Sequence, residues 1–120
     1  MSANHALFFV SNGPREGRGP QMMENSNALK AYWTKKKDAG DIVSFDTVIL
    51  ASSGNPNMPA GFTLVTGDRA KLQQIRWEDP EFLNLHTTAM VVTAGYACID
   101  GYTGDALAKH LERLSTLSRK

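Results

Sequence analysis

The sequence predicts one α+β domain with a β-α-β-β-α-β plan followed by an extra helix. Three observations carry that prediction. Short apolar runs alternate with stretches of helical periodicity. Clusters of Gly, Pro, Asn and Asp separate them. The length, 120 residues, suits a single hydrophobic core.

Ala6–Val10 is continuously apolar and ends at a turn cluster, which reads as a buried first strand. Residues 11–20 hold Gly13, Pro14, Gly17, Gly19 and Pro20 and form a loop. Pro20 suits a first helical turn, where its missing N–H would find no partner anyway. A helix then runs from about Gln21 to Ala39, with Met22, Ser26, Leu29 and Trp33 on one stripe and Gly40 as its stop. Lys35, Lys36 and Lys37 form its charged last turn, where cations meet the negative end of the helix dipole. Ile42–Ala51 is the second strand, residues 52–59 a long connection, and Gly61–Thr66 the third strand.

Asp68 is placed to cap a second helix carrying Leu72 and Ile75. Pro80 breaks that helix near Glu78 and Asp79, and a second segment carries Phe82 and Leu85. Met90–Ile99 reads as the fourth and longest strand. Asp105 then caps a last helix with Leu107, Leu111, Leu114 and Leu117 along one side. The ferredoxin-like arrangement is the usual solution to this order. It has a four-stranded antiparallel sheet with both main helices on one face through right-handed crossovers.

Composition narrows the function classes. Thirteen Lys and Arg balance twelve Asp and Glu, a net charge of +1, so no global field draws nucleic acid or anionic lipid. The single cysteine, Cys98, excludes an intrachain disulfide and reads as a small buried hydrophobe. No apolar stretch is long enough to span a bilayer, and Met1–Val10 lacks the pattern of a signal peptide, so a cytoplasmic protein is expected. No HExxH and no paired Cys/His spacing points to a metal. The Gly13–Gly19 loop has neither G-x-G-x-x-G nor Gly-Lys-Ser/Thr, and no flavin, haem or nucleotide signature occurs, so no cofactor is expected.

A sheet covered on one side should alternate apolar and polar residues, and these strands do not. Leu7 and Phe9 oppose Phe8 and Val10; Val43, Phe45 and Ile49 oppose Ile42, Val48 and Leu50. Two helices cover one face only. A second copy packed sheet against sheet is the expected cover for the other, the alternative being the terminal helix folded back over it.

The element order, the Trp33-bearing first helix ending in Ala39-Gly40, and Asp79-Pro80-Glu81-Phe82 resemble the dimeric α+β barrel superfamily. That group includes antibiotic-biosynthesis-type monooxygenases, muconolactone isomerases and YCII-related proteins. The resemblance spans roughly Ala6 to Tyr102. It implies a homodimer with a cleft between sheet and helices where small organic molecules bind. YCII-related proteins pair an acidic residue in an Asp-Pro setting with a histidine of the first helix. Asp79 matches the acid; the first helix here contains no histidine.

Polar side chains on otherwise apolar elements are the candidate site residues. Asp46 lies mid-strand on the face of Ile42, Ser44 and Val48. Burial disfavours an ionised carboxylate, which suits a general base taking a proton from a small acid; a solvated edge-strand carboxylate is the alternative. His86 precedes the expected fourth strand as a candidate proton shuttle, or as a charged helix end. Tyr32, Tyr96 and Asp79 are candidate ligand-binding residues. His5 and His110 read as surface residues, and Trp33 as core. Two functions follow. One is binding of a small organic molecule, with cofactor-free proton transfer or oxygenation if the protein is an enzyme. The other is a non-catalytic module whose dimer surface is its function.

Overall fold

The computed structural model describes residues 3–51, 54–55 and 57–119, so Ser52, Ser53 and Pro56 of the expected connection lie outside the described residues. Along the chain run β1 (His5–Ser11), α1 (Gly19–Asp38), β2 (Ser44–Ile49), β3 (Gly61–Gly67), α2 (Arg69–Glu78), α3 (Pro80–Val92), β4 (Ala97–Tyr102) and α4 (Gly104–Ser118). The strands form one antiparallel sheet in the order β2-β3-β1-β4. This is the expected α+β plan. Among the described residues no helix is long and apolar enough to cross a membrane.

Local chemistry sets each element. Pro20 sits in the first turn of α1, and Gly40 stops the helix with a φ of 79°, a left-handed conformation that a side chain would strain. Asp68 caps α2 by accepting from the Lys71 backbone N–H at 3.3 Å. Asp79 ends α2 and begins α3, where its carboxylate accepts from the Glu81 N–H at 3.0 Å and Pro80 opens the new helix.

Register divides the sheet into two faces. Leu7 lies opposite Val65, which in turn lies opposite Phe45; Phe9 lies opposite Cys98. These residues face the helices. The core joins Leu7, Phe9 and Val65 to Tyr32 and Trp33 of α1, Leu72 and Ile75 of α2 and Phe82 of α3. Phe82 is fully buried, with its ring 5.6 Å from Trp33, 6.1 Å from Tyr32 and 6.1 Å from Phe9.

The other face carries Phe8 and Val10 of β1, Phe62 and Leu64 of β3, Val48 of β2 and Ile99 of β4. Phe8 and Phe62 meet at 5.3 Å, while Ile99 is 53% exposed and Val48 39%. The terminal helix does not roof this face. It leans on β4 where His110 stacks on Tyr102 at 4.3 Å, and Tyr102 is in register with the helix-facing His5. None of its residues is buried, and Leu107, Leu111, Leu114 and Leu117 are all exposed.

Four expectations are corrected. Asp105 lies in the first turn of α4 rather than capping it; the N-cap is Thr103. Met90–Val92 belong to α3, and the fourth strand begins only at Ala97. The apolar run Met90-Val91-Val92 looks like a buried strand, but Phe82, His86, Ala89 and Thr93 continue one helical stripe through it, and all four are buried. The second strand begins at Ser44 rather than Ile42, and Ile42, which precedes it, packs in the core beside Gly67 and Leu72. His5 is buried as well.

The Phe82 hub gives a direct test. Phe82→Ala removes the ring that joins α1, α3 and β1 and is expected to cost about 3–5 kcal/mol in urea unfolding. Met90→Ala, exposed on the same helix, is expected to stay within about 0.5 kcal/mol.

Candidate functional site

The candidate site is an open cleft of about 680 Å³ between α1 and the helix-facing side of the sheet. It exists because α1 leaves part of β2 and β3 uncovered. Phe45, Thr47 and Ile49 alternate onto this side of β2, and Thr63 lies opposite Thr47. Their hydroxyls share a hydrogen bond at 2.9 Å. Ile49 remains 81% exposed at the edge. From α1 come Met22, Ser26, Leu29, Lys30 and Trp33, and the inner end is closed by Phe9, Ala89, Thr93 and Tyr96.

Tyr96 is set by a backbone clamp. The Asn12 N–H donates to Ala94 O at 2.8 Å, Ala94 N–H to Gly13 O at 2.8 Å, and Arg15 N–H to Val92 O at 2.9 Å. The turn between α3 and β4 closes through Gly95 at a φ of 61°. The left-handed conformation favours glycine, and a Cβ on Gly95, 2.5 Å from Asn12 Nδ2, would also displace that side chain. Tyr96 is thereby delivered to His86, ten residues back on α3. The hydroxyl and His86 Nδ1 share a hydrogen bond at 2.6 Å. Phe82, one turn earlier, stacks on the imidazole at 5.3 Å and 18°. Tyr96 lines the cleft; His86 lies behind it, buried.

Electrostatics keep this pair neutral. Burial, and then the charge of Arg76, hold His86 below its ordinary value. Burial and the neighbouring Cys98 raise Tyr96, with Arg76 pulling the other way. Cys98 itself is pushed up to about 11, chiefly by burial, so its thiol stays protonated and is no nucleophile at neutral pH. With the imidazole proton on Nε2, Tyr96 donates to Nδ1 and its oxygen is left to accept from a ligand. With the proton on Nδ1, the hydroxyl is free to donate.

Tyr32 and Asp79 form a second pair, apart from the first. Tyr32 Oη donates to Asp79 Oδ2 at 2.5 Å, and Lys36 Nζ lies 3.2 Å from the same oxygen. Burial raises the Asp79 carboxyl, but the hydrogen bond from Tyr32 and the Lys36 ammonium outweigh it and leave it below the ordinary range. Tyr32 is driven upward by burial and by Asp79. The carboxylate faces a smaller groove of about 400 Å³ lined by Lys36, Asp41, Lys71 and Glu78. The first helix therefore does give Asp79 a partner, a tyrosine where the resemblance implies a histidine.

Asp46 joins neither pair. Strand β2 passes the cleft, but Asp46 lies opposite Leu64 on the outer face, and it is exposed. The burial that would suit it to general-base chemistry is not there, because β2 is an edge strand. Sequence reading also assigns Trp33 to the core alone, whereas it both fills the core and walls the cleft. It overlooks Phe45, Lys30 and Arg76. The available signal was Ser26, Thr47 and Thr63, hydroxyls on the helix-facing side at an end that packing leaves open.

No protein-family model matches the sequence, nor does any curated protein. Solved structures do match. A dimeric ferredoxin-like protein of unknown function from Jannaschia sp. CCS1 superposes with a TM-score of 0.65 at 13% identity, over 83% of this chain and 99% of that one. The fold is ferredoxin-like. A second dimeric ferredoxin-like protein of unknown function, from Bacteroides fragilis, gives 0.56 at 12% identity over 82% and 96% of the two chains. A hypothetical Arabidopsis thaliana protein gives 0.60 at 13% over 87% and 90%. In this ferredoxin-like chain the cleft lies on the helix side of the sheet, and the outer face stays bare.

The neutral, buried His86 predicts a pH dependence of stability. Its folded value lies below the ordinary 6.5, so the unfolded chain takes up the proton first. Stability is then complete above about pH 6.5 and declines as pH falls toward the lower folded value. Urea midpoints measured from pH 8 to pH 5 should show this decline, and His86→Gln should flatten it.

Proposed function

We propose that this protein is a homodimer that binds a small organic molecule in the α1–sheet cleft and moves a proton on it through Tyr96 and His86. The observation that carries this reading is the placement of the pair. A tyrosine hydroxyl lines an aromatic-walled cleft and is hydrogen-bonded at 2.6 Å to a buried imidazole held in its neutral form. Cleft volume and lining fall in the range of small-molecule sites. The dimer is supported by the bare apolar face and by the dimeric description of the Jannaschia and Bacteroides proteins.

The chemistry follows from the two protonation states. The Tyr96 oxygen accepts a proton from an acidic C–H or O–H of the ligand as its own proton passes to His86 Nδ1. The imidazolium so formed is buried near Arg76, which disfavours it. The proton is therefore returned, and return to a different ligand atom is an isomerisation. Asp46, Tyr32 and Asp79 have no direct part in this scheme; Asp79 lines the smaller groove, and Tyr32 supports it from the core.

The exposed leucine stripe of α4 favours a second reading, an interaction module with no ligand. One experiment separates the two. Small aromatic and carbonyl acids are screened by thermal shift, and those that bind are followed by NMR for exchange of an acidic C–H with deuterated solvent. Exchange is expected to be accelerated by the protein and to fall by about 10²-fold or more in Tyr96→Phe with binding retained. No thermal shift with any compound, or equal exchange in Tyr96→Phe, would contradict the proton-transfer reading.

A further inference from the structure

The charge of the cleft says what kind of molecule it takes. Two charged residues border it, Lys30 and Asp46. Strand alternation places the Asp46 side chain on the opposite face, beside Leu64. That leaves Lys30 as the charged side chain available to a bound molecule among the described residues. It stands about one helical turn before Trp33, so the two residues share the α1 wall of the cleft.

Lys30, like Lys37, differs from Lys35 and Lys36 of α1. Lys35 is paired with Glu81 at 2.6 Å, and Lys36 with Asp79 at 3.2 Å and Asp41 at 3.7 Å. Among the described residues no carboxylate pairs with Lys30 in this way. Deeper in the cleft the half-buried Phe45 and Tyr96 give aromatic walls, backed by the buried Phe9 and Trp33. Aromatic walls favour a flat, apolar body that stacks or meets ring edges. The remaining polar groups are hydroxyls and an amide, which hydrogen-bond a ligand without repelling an anion.

Resting on the ligand-binding reading above, we infer that the cleft selects a planar aromatic carboxylate, its ring between α1 and the sheet against Phe45 and Tyr96 and its carboxylate held by Lys30 at the mouth. The ring then reaches inward to Tyr96, and Lys30 is a specificity-determining residue rather than part of the proton path. A cation at this position rejects amines and gives an acid the advantage over its amide. Because the mouth is open to solvent, the advantage is modest and is screened by salt.

The test uses the full chain with 2-naphthoate, 2-naphthamide and octanoate, read by isothermal titration at low ionic strength. The wild type is expected to bind 2-naphthoate about fivefold more tightly than the amide, the size of an accessible ion pair. Lys30→Gln, an exposed change between residues of similar helix propensity, should bring the two to equal affinity, and Lys30→Glu should reverse the order. Equal binding of acid and amide by the wild type, or a preference that survives in Lys30→Gln, overturns the inference while leaving the cleft as a ligand site. Octanoate binding as tightly as 2-naphthoate overturns the planar requirement. Absence of binding by all three overturns both this inference and the cleft reading.

Discussion

Everything distinctive here comes from one constraint of coverage: the helices are too few and too short for the sheet they shelter. A four-stranded sheet has two faces, and the chain supplies α1, α2 and α3 to only one of them. On that side α1 leaves part of β2 and β3 open, which creates the cleft. On the other side none of the described elements covers Val48 or Ile99, and Phe8 and Phe62 are only half-buried, which creates the demand for a partner. Exposed apolar surface of this extent is where proteins associate, since each Å² removed from water contributes about 25 cal/mol.

The aromatic hub built on Phe82 links the two polar pairs without joining them. Its ring touches Tyr32 on one side and His86 on the other. Each tyrosine presents its ring to the core and its hydroxyl to a partner, Asp79 for Tyr32 and His86 for Tyr96. The environments differ in one respect that decides their use. The Tyr32–Asp79 pair has Lys36 against its carboxylate and is locked as a structural strut that also caps α3. Among the described residues the Tyr96–His86 pair has no carboxylate bonded to it, and the charge of Arg76 opposes protonation of the imidazole. A strut resists change of protonation, while a neutral pair at a cleft can pass a proton.

Much of the fold was legible because local chemistry and global topology agree. Pro20 and Gly40 bound α1, Asp68 caps α2, and Asp79-Pro80 breaks the second crossover where the sequence implies. The fourth strand was misplaced because Met90-Val91-Val92 carries no decisive period and a buried helix reads like a buried strand over so short a stretch. The site was legible in parts. His86 and Tyr96 stand out singly as polar groups among apolar neighbours, but their meeting depends on the Gly95 turn and on the backbone clamp between residues 12–15 and 92–94. Pairings of that kind have no sequence period. Asp46 stands out for the same reason as His86, yet an edge strand lets it reach water.

Sedimentation equilibrium tests the coverage constraint most directly. The wild type is expected at twice the monomer mass at micromolar concentration, and Leu64→Glu, which plants a charge in the bare face, at the monomer mass. A wild-type chain that sediments as a stable monomer, with this face wet, would contradict it.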